Sequence, residues 1–174
     1  MLAEKNHIIS PAPSVPTPAM SFRSAMGRFA TGVTIVTALT PDGQPLGLTV
    51  NSFNSVSLAP PLVLWSLGLK AASMAAFEHA QHYAIHVLSV DQKYLAERFA
   101  SKVANRFEGV DWQANAQGVP VLPGSAAVFE CQAKSRYPEG DHVIFVGEVQ
   151  SSLHDASRAP LLFHGGKFYT EHPL

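Results

Sequence analysis

The sequence predicts a mainly β fold, a β-barrel with helical additions, on three observations. About seven short segments carry the two-residue period of strands. Those segments follow one another more often than they alternate with helices, which argues against a doubly wound sheet. Only three short stretches have helical spacing. A length of 174 residues suits one hydrophobic core, so a single domain is expected over residues 21–174.

Residues 1–20 hold Pro11, Pro13, Pro16 and Pro18 among Ser, Thr and Ala. Missing backbone donors and low apolar content predict a solvated tail there. Phe22, Met26 and Phe29 then recur at helical spacing behind Ser21, predicting a capped amphipathic helix over residues 21–30 that packs on the first strand. Val33 and Ile35 alternate with Thr34 and Thr37 as in a strand with one polar face. After the turn at Pro41-Asp42-Gly43-Gln44, residues 46–57 read as a second strand. Pro60-Pro61 interrupts, and residues 62–67 read as a buried third strand, giving an early β-meander.

Residues 70–80 are rich in Ala and Met and suit a helix, and residues 82–88 a strand. Asp91 is the candidate cap of a helix over residues 91–100, with Tyr94, Leu95, Arg98 and Phe99 at three-four spacing. Residues 109–124 read as loop. Strands over 126–136 and 142–151 flank a reversal at Tyr137-Pro138-Glu139-Gly140-Asp141, and a strand pair around Gly165-Gly166 ends the chain.

Composition narrows the function classes. Twelve basic residues oppose 13 acidic ones with no basic cluster, so no nucleic-acid partner is expected. No apolar run approaches the roughly 18 residues of a membrane span, and the start lacks a basic-then-apolar leader. A cytoplasmic protein with no membrane partner is the expectation. An apolar content of 47% against 14% charged residues suggests that some surface is covered in an oligomer. Cys131 is the single cysteine, which excludes an internal disulfide and a cysteine-based zinc cage. Its place in an apolar run reads as a buried strand residue. His79, His82 and His86 are the tightest histidine group, but only Glu78 adjoins them, so no metal site is expected. The glycine and nucleophile signatures of Rossmann, P-loop, hydrolase and zincin chemistry are missing.

The run Gly47-Leu48-Thr49-Val50-Asn51-Ser52-Phe53-Asn54-Ser55-Val56-Ser57-Leu58-Ala59-Pro60-Pro61 is unusually polar for a segment between apolar strands. Such groups need partners when buried. The partners are either the surrounding backbone, as in turns and bulges, or a polar ligand whose phosphate and ring edges take hydroxyl and N–H donors.

This run resembles the flavin-binding stretch of the flavin reductase-like family, short-chain reductases built on an FMN-binding split β-barrel. Other segments follow in the family's order. Phe29-Ala30-Thr31-Gly32-Val33-Thr34-Ile35-Val36-Thr37 is similar to its first strand and Arg106-Phe107-Glu108-Gly109-Val110-Asp111 to its central loop. Gly118-Val119-Pro120-Val121-Leu122, then Phe129-Glu130-Cys131, and finally Gly140-Asp141-His142 before Val143-Ile144-Phe145-Val146-Gly147-Glu148-Val149 complete the series. The likeness spans residues 21–169.

The resemblance implies a homodimeric NAD(P)H:flavin oxidoreductase that passes a hydride from NADH or NADPH to FMN, or to FAD, and supplies reduced flavin to a partner monooxygenase. Carried over by position, Thr34, Thr49, Val50, Asn51, Ser52, Ser55, Val56 and Ser57 line the flavin, with Ser66 and Ser73 as further contacts. Lys70 is either a cation beside the phosphate or a solvated surface residue. His142 is the nicotinamide-nucleotide contact, and no side chain is assigned a catalytic role because the hydride passes directly between stacked rings. At His86 the family's usual residue is asparagine, and the imidazole there is bulkier and titratable. Alternatives of the same fold are a non-catalytic FMN-binding protein, which the Gly140-Asp141-His142 motif disfavours, and an oxidase of pyridoxamine phosphate type.

Overall fold

The computed structural model describes residues 17–172, so residues 1–16 of the expected tail lie outside the described residues. The tail expected through residue 20 ends sooner: Thr17 accepts the Met20 N–H and caps helix α1 (Pro18–Met26), the role the sequence suggested for Ser21. Pro18 sits in the first helical turn, where its missing N–H leaves no bond unmade. The apolar side chains of this segment do not pack on the first strand, since Met20, Phe22, Met26 and Phe29 are all more than half exposed.

The chain continues as β1 (Thr31–Gly32), β2 (Thr34–Leu39), β3 (Pro45–Val50), β4 (Asn54–Leu58) and β5 (Pro61–Gly68). Then come α2 (Met74–His79), β6 (His82–Val87), α3 (Lys93–Ala100), β7 (Gln113–Ala114) and β8 (Pro120–Val121). The long hairpin β9 (Ala127–Glu139) and β10 (His142–His154) precedes β11 (Leu162–His164) and β12 (Lys167–Tyr169). Seven strands form one antiparallel sheet in the order β3-β2-β6-β9-β10-β5-β4, and β1, β11 and β12 form a smaller one.

That order corrects the expected meander. The single strand predicted over residues 46–57 is broken at residues 51–53, and its halves join opposite edges of the sheet. Alternation does not reveal the break, since it marks a strand without naming its pairing partner: β3 is partly buried, β4 is mostly exposed, and the two pair at opposite edges. The polar face predicted for β2 is buried as well. Thr37 donates to the Pro120 carbonyl at 2.5 Å and Thr34 to the Val50 carbonyl at 2.9 Å, so both hydroxyls are satisfied inside the protein.

Helix boundaries also shift. The stretch over residues 70–80 is helical only from Met74, leaving Lys70 in a turn. Ahead of α3, Ser89 rather than Asp91 is the cap, through a reciprocal capping box with Gln92 at the start of a short 3-10 turn. The reversal between β9 and β10 contracts to Gly140-Asp141, with Gly140 at φ 59° in the first loop position. Pro138 is tolerated within β9 because pairing with β6 stops at Gln132, which leaves an edge where no N–H is required.

Two apolar clusters lie on opposite faces of β2. One gathers Val36, Trp65, Phe77, Tyr83 and Phe145, with the Trp65 and Phe145 rings stacked at 4.6 Å. Arg136 lies against Phe145 and donates to the Ala80 carbonyl at 2.7 Å, closing the end of α2. Cys131 is buried in this cluster, and burial pushes its thiol up to about 12. The other cluster packs Ile35, Leu88, Leu95, Phe99 and Leu122 beneath α3.

Gly47 is the contact point between α3 and β3. A Cβ there would stand 2.7 Å from Phe99 Cε1 and 3.3 Å from Phe107 Cζ, so only glycine admits both rings. Arg106 donates to the Gly47 carbonyl at 2.9 Å and to Ser101, while Arg98 donates to the carbonyls of Asn105, Arg106 and Glu108. These two guanidinium groups hold the loop after α3 against β3. The sequence shows Arg98 at a helical spacing and Arg106 within a family-like loop motif, with no contact assigned to either.

His86 is wholly buried. Its Nδ1 stands 3.0 Å from the Ile35 carbonyl, which can only accept, and its Nε2 accepts the Leu122 N–H at 3.1 Å. The ring is therefore neutral, with its proton on Nδ1. Burial lowers its pKa from 6.5 to about 4.

Two outcomes follow from this packing. Gly47→Ala forces Phe99 or the strand to move and costs about 1–3 kcal/mol, read as a lower urea midpoint at unchanged slope; an unshifted midpoint contradicts the close approach. For His86, the unfolded chain binds a proton below pH 6.5 that the folded chain refuses down to about pH 4. Its contribution is complete above that window and is lost as pH falls through it, by about 3 kcal/mol in all. His86→Asn therefore gives a shallower decline of unfolding free energy between those pH values, and a decline as steep as wild type contradicts the assignment.

Candidate functional site

The C-terminal end of β3 separates two cavities, both of which touch Thr49, Val50 and Asn51. The first, about 560 Å³, lies among residues 48–52, residues 66–68 at the end of β5, Glu139, His142 and Ile144. The second, about 490 Å³, opens between α3 and the β11–β12 hairpin and is mostly apolar, with Ala96, Ala100, Phe163 and Phe168 around Glu97. Both volumes lie in the range of small-molecule sites.

One hydroxyl holds the first cavity together. Ser52 Oγ accepts the Ser66 N–H at 2.9 Å and donates to the Ser66 carbonyl at 3.1 Å. This pins the turn after β3 to β5, two strands that stand far apart in the sheet order. Thr49 donates to the Ala96 carbonyl at 2.7 Å and so anchors the same turn to α3.

His142 begins β10, directly opposite Glu139 across the two-residue turn. Its ring lies over Gly68, with Nε2 at 3.6 Å from the place a Cβ would occupy. Nδ1 is 2.6 Å from Asp141 Oδ1. The hydrogen bond and charge of His142 hold the Asp141 carboxyl below the usual carboxylate range, with Lys70 adding a smaller effect. The Leu69 N–H donates to the Asp141 carbonyl at 2.9 Å, which ties the turn to the end of β5.

The structure thus brings Thr49, Val50, Asn51, Ser52 and Ser66 together with His142 around one cavity. Thr34 is buried in the sheet and braces β3 through Val50. Ser55, Val56 and Ser57 lie on the edge strand β4, where a register shift sets Val56 out of the ladder. Their side chains make no hydrogen bond among the described residues, as is also true of Asn51 and Lys70. Lys70 is exposed beside the Asp141 turn, and Ser73 is buried ahead of α2; neither lines either of these two cavities. His86 reaches neither cavity. Sequence reading missed Gly68, Glu139, Phe163 and Phe168; a glycine closing a strand and a Phe pair flanking a Gly-Gly turn were the available signals. Among the described residues, no three His, Cys, Asp or Glu side chains stand close enough to hold a metal ion.

The donor set fits a flavin. The protein spends the hydroxyls of Thr49 and Ser52 on its own backbone, which leaves the Asn51 amide as an uncommitted side-chain donor at the cavity; Ser55, Ser57 and Lys70 do not line it. Leu48, Leu67, Gly68 and Ile144 supply apolar wall for a planar ring.

Residues 26–172 match the flavin reductase like domain family. The chain is 53% identical over 148 residues to the FMN reductase (NADH) SmoA of Agrobacterium fabrum, covering 85% of this chain and 83% of that protein. It is 38% identical to the reductase subunit HsaB of a flavin-dependent monooxygenase from Rhodococcus jostii, covering 84% and 75%. The NADH:FAD oxidoreductase SgcE6 of Streptomyces globisporus, solved with NAD and FAD fragments, superposes with a TM-score of 0.85 at 36% identity, covering 94% of this chain and 98% of that one. With residues 48–52 and His142, from two of the family's motifs, at one cavity and the family match running through nearly all the described residues, the chain belongs to the flavin reductase-like family and is an oxidoreductase of that family.

Proposed function

We propose that the protein is an NADH-dependent FMN reductase whose first cavity brings flavin and nicotinamide together. The observation that carries this reading is the meeting of residues 49–52 and Ser66 with His142 across a single cavity. The 53% identity to an NADH-dependent FMN reductase supports both the donor and the flavin.

Bound there, the flavin supplies the hydride acceptor of the reaction. The chain's own contribution is placement. Ser52 holds the β3 turn and β5 at a fixed spacing, so the ring meets a preformed slot rather than a loop that must order on binding. Asn51, Ser55 and Ser57 offer donors along the polar side of the ligand, and Lys70 offers a positive charge at the rim for a phosphate. His142 lines the same cavity, where it receives the nucleotide.

The protein acts in the cytoplasm as a homodimer. No helix among the described residues is long and apolar enough to cross a membrane. The exposed side chains of Met20, Phe22 and Met26 on α1 give a second copy an apolar face to cover. Reduced flavin passes to a separate monooxygenase, a role supported by the relative that is the reductase subunit of such an enzyme.

Three measurements bear on this. NADH consumption under steady state rises with added FMN and saturates, and consumption indifferent to both FMN and FAD contradicts the reading. Lys70→Ala raises the Kd for FMN about three- to tenfold while leaving that for riboflavin, which lacks the phosphate, unchanged. Equal losses for both ligands place Lys70 away from the phosphate. Sedimentation equilibrium gives twice the 18.7 kDa chain mass, and Phe22→Glu shifts the protein toward monomer; a monomeric wild type contradicts the dimer.

A further inference from the structure

We infer that Asp141 is a positioning residue that fixes the hydrogen-bonding polarity of His142, so that the nucleotide is recognised through the N–H donors of its nicotinamide carboxamide. The inference rests on the proposed reading of the first cavity as the nicotinamide site.

Asp141 Oδ1 lies 2.6 Å from His142 Nδ1. An ionised carboxylate can only accept, so the contact places a proton on Nδ1. In neutral imidazole the other nitrogen then carries a lone pair. That nitrogen, Nε2, is the one lying over Gly68 at the cavity wall. An acceptor at this position selects a ligand that offers a donor. The nicotinamide ring carries one donor group beside its reacting carbon, the carboxamide NH₂.

The surroundings favour this polarity. The Asp141 side chain is 94% exposed and that of His142 51% exposed. A pair so open to solvent adds little to stability, and its effect is to orient the ring. The turn that carries it is nonetheless fixed: Gly140 takes φ 59°, and the Leu69 N–H binds the Asp141 carbonyl. Among the described residues the bond to Asp141 is the one side-chain hydrogen bond the ring makes, and Nε2 faces Gly68, which has no side chain to occupy it. Without Asp141 nothing distinguishes the two tautomers, and Nε2 can as well be a donor.

The test compares binding of NAD⁺ with that of its 3-acetylpyridine analogue, in which a methyl ketone replaces the carboxamide and the N–H donors are lost. Equilibrium dialysis on the full-length FMN-loaded protein measures both. Wild type binds NAD⁺ about tenfold more tightly than the analogue, the worth of one hydrogen bond. His142→Ala and Asp141→Ala each bring the ratio close to one. Long-range ¹H–¹⁵N spectra report the tautomer directly: His142 is Nδ1-protonated in wild type and mixed in Asp141→Ala. These spectra also show whether each variant is folded, and His142→Phe, which keeps a ring without nitrogen, replaces His142→Ala if that variant fails to fold.

Equal binding of the two dinucleotides by wild type overturns the proposal while leaving the cavity as the nucleotide site. A tenfold preference that survives in Asp141→Ala, or an unchanged tautomer there, overturns the role of Asp141. Failure of wild type to bind either dinucleotide overturns the reading of the site and the inference with it.

Discussion

The hydroxyl of Ser52 is the interaction on which the site depends. β3 ends one edge of the seven-stranded sheet, and β5 lies next to the other edge. Nothing in the ladder of strand pairs joins them. Ser52 does, by closing both the N–H and the carbonyl of Ser66 onto one oxygen. A hydroxyl serves here because it is both donor and acceptor, whereas an alanine leaves two backbone groups unpaired in a part-buried place, at about 1–3 kcal/mol each. The first cavity is the space on one side of this clasp, and its walls keep their spacing because the clasp does.

A second constraint bears on the same turn from behind. Gly47 admits the Phe99 and Phe107 rings, Thr49 reaches the α3 backbone, and Arg106 caps the Gly47 carbonyl. The polar run between the apolar strands therefore divides its labour. Thr49 and Ser52 serve the fold, while Asn51, Ser55 and Ser57 keep free donors at the surface. Of the two explanations of the run's polarity, backbone partners account for Thr49 and Ser52, and a polar ligand is the proposed partner of Asn51, Ser55 and Ser57. His86 belongs with the first group: where relatives of this kind were expected to use an amide, a neutral imidazole ties β2 and the residue-122 loop together inside the core.

Much of this was legible in the sequence. Alternation gave the strands their faces, and the order of five motifs implied the flavin reductase-like fold. The failures have physical causes. The break at residues 51–53 was hidden because a strand-like run does not name its pairing partner, so two strands at opposite edges read as one. Thr34 and Thr37 read as one polar face, yet three residues apart they lie on opposite faces of the strand, and a threonine buried against a carbonyl carries no local mark of its partner. Phe22 and Met26 announced an amphipathic helix correctly, yet their stripe is exposed rather than packed on the first strand, because periodicity names no partner for an apolar face. Arg98 and Arg106 were placed in a helix and a loop motif, but their bonds to carbonyls were not foreseen, since such contacts leave no periodicity. His142 was legible as a residue, but its bond to Asp141, its neighbour in the chain, acquires meaning only once the ring is seen over Gly68.

The account stands on the claim that one cavity holds the flavin where a nicotinamide can reduce it. Anaerobic titration of the FMN-loaded protein with NADH measures this in a single experiment. The account predicts that the visible absorbance of the oxidised flavin is lost in proportion to added NADH, complete at one equivalent per bound FMN. A protein that binds FMN and keeps its oxidised spectrum in excess NADH and in excess NADPH contradicts it.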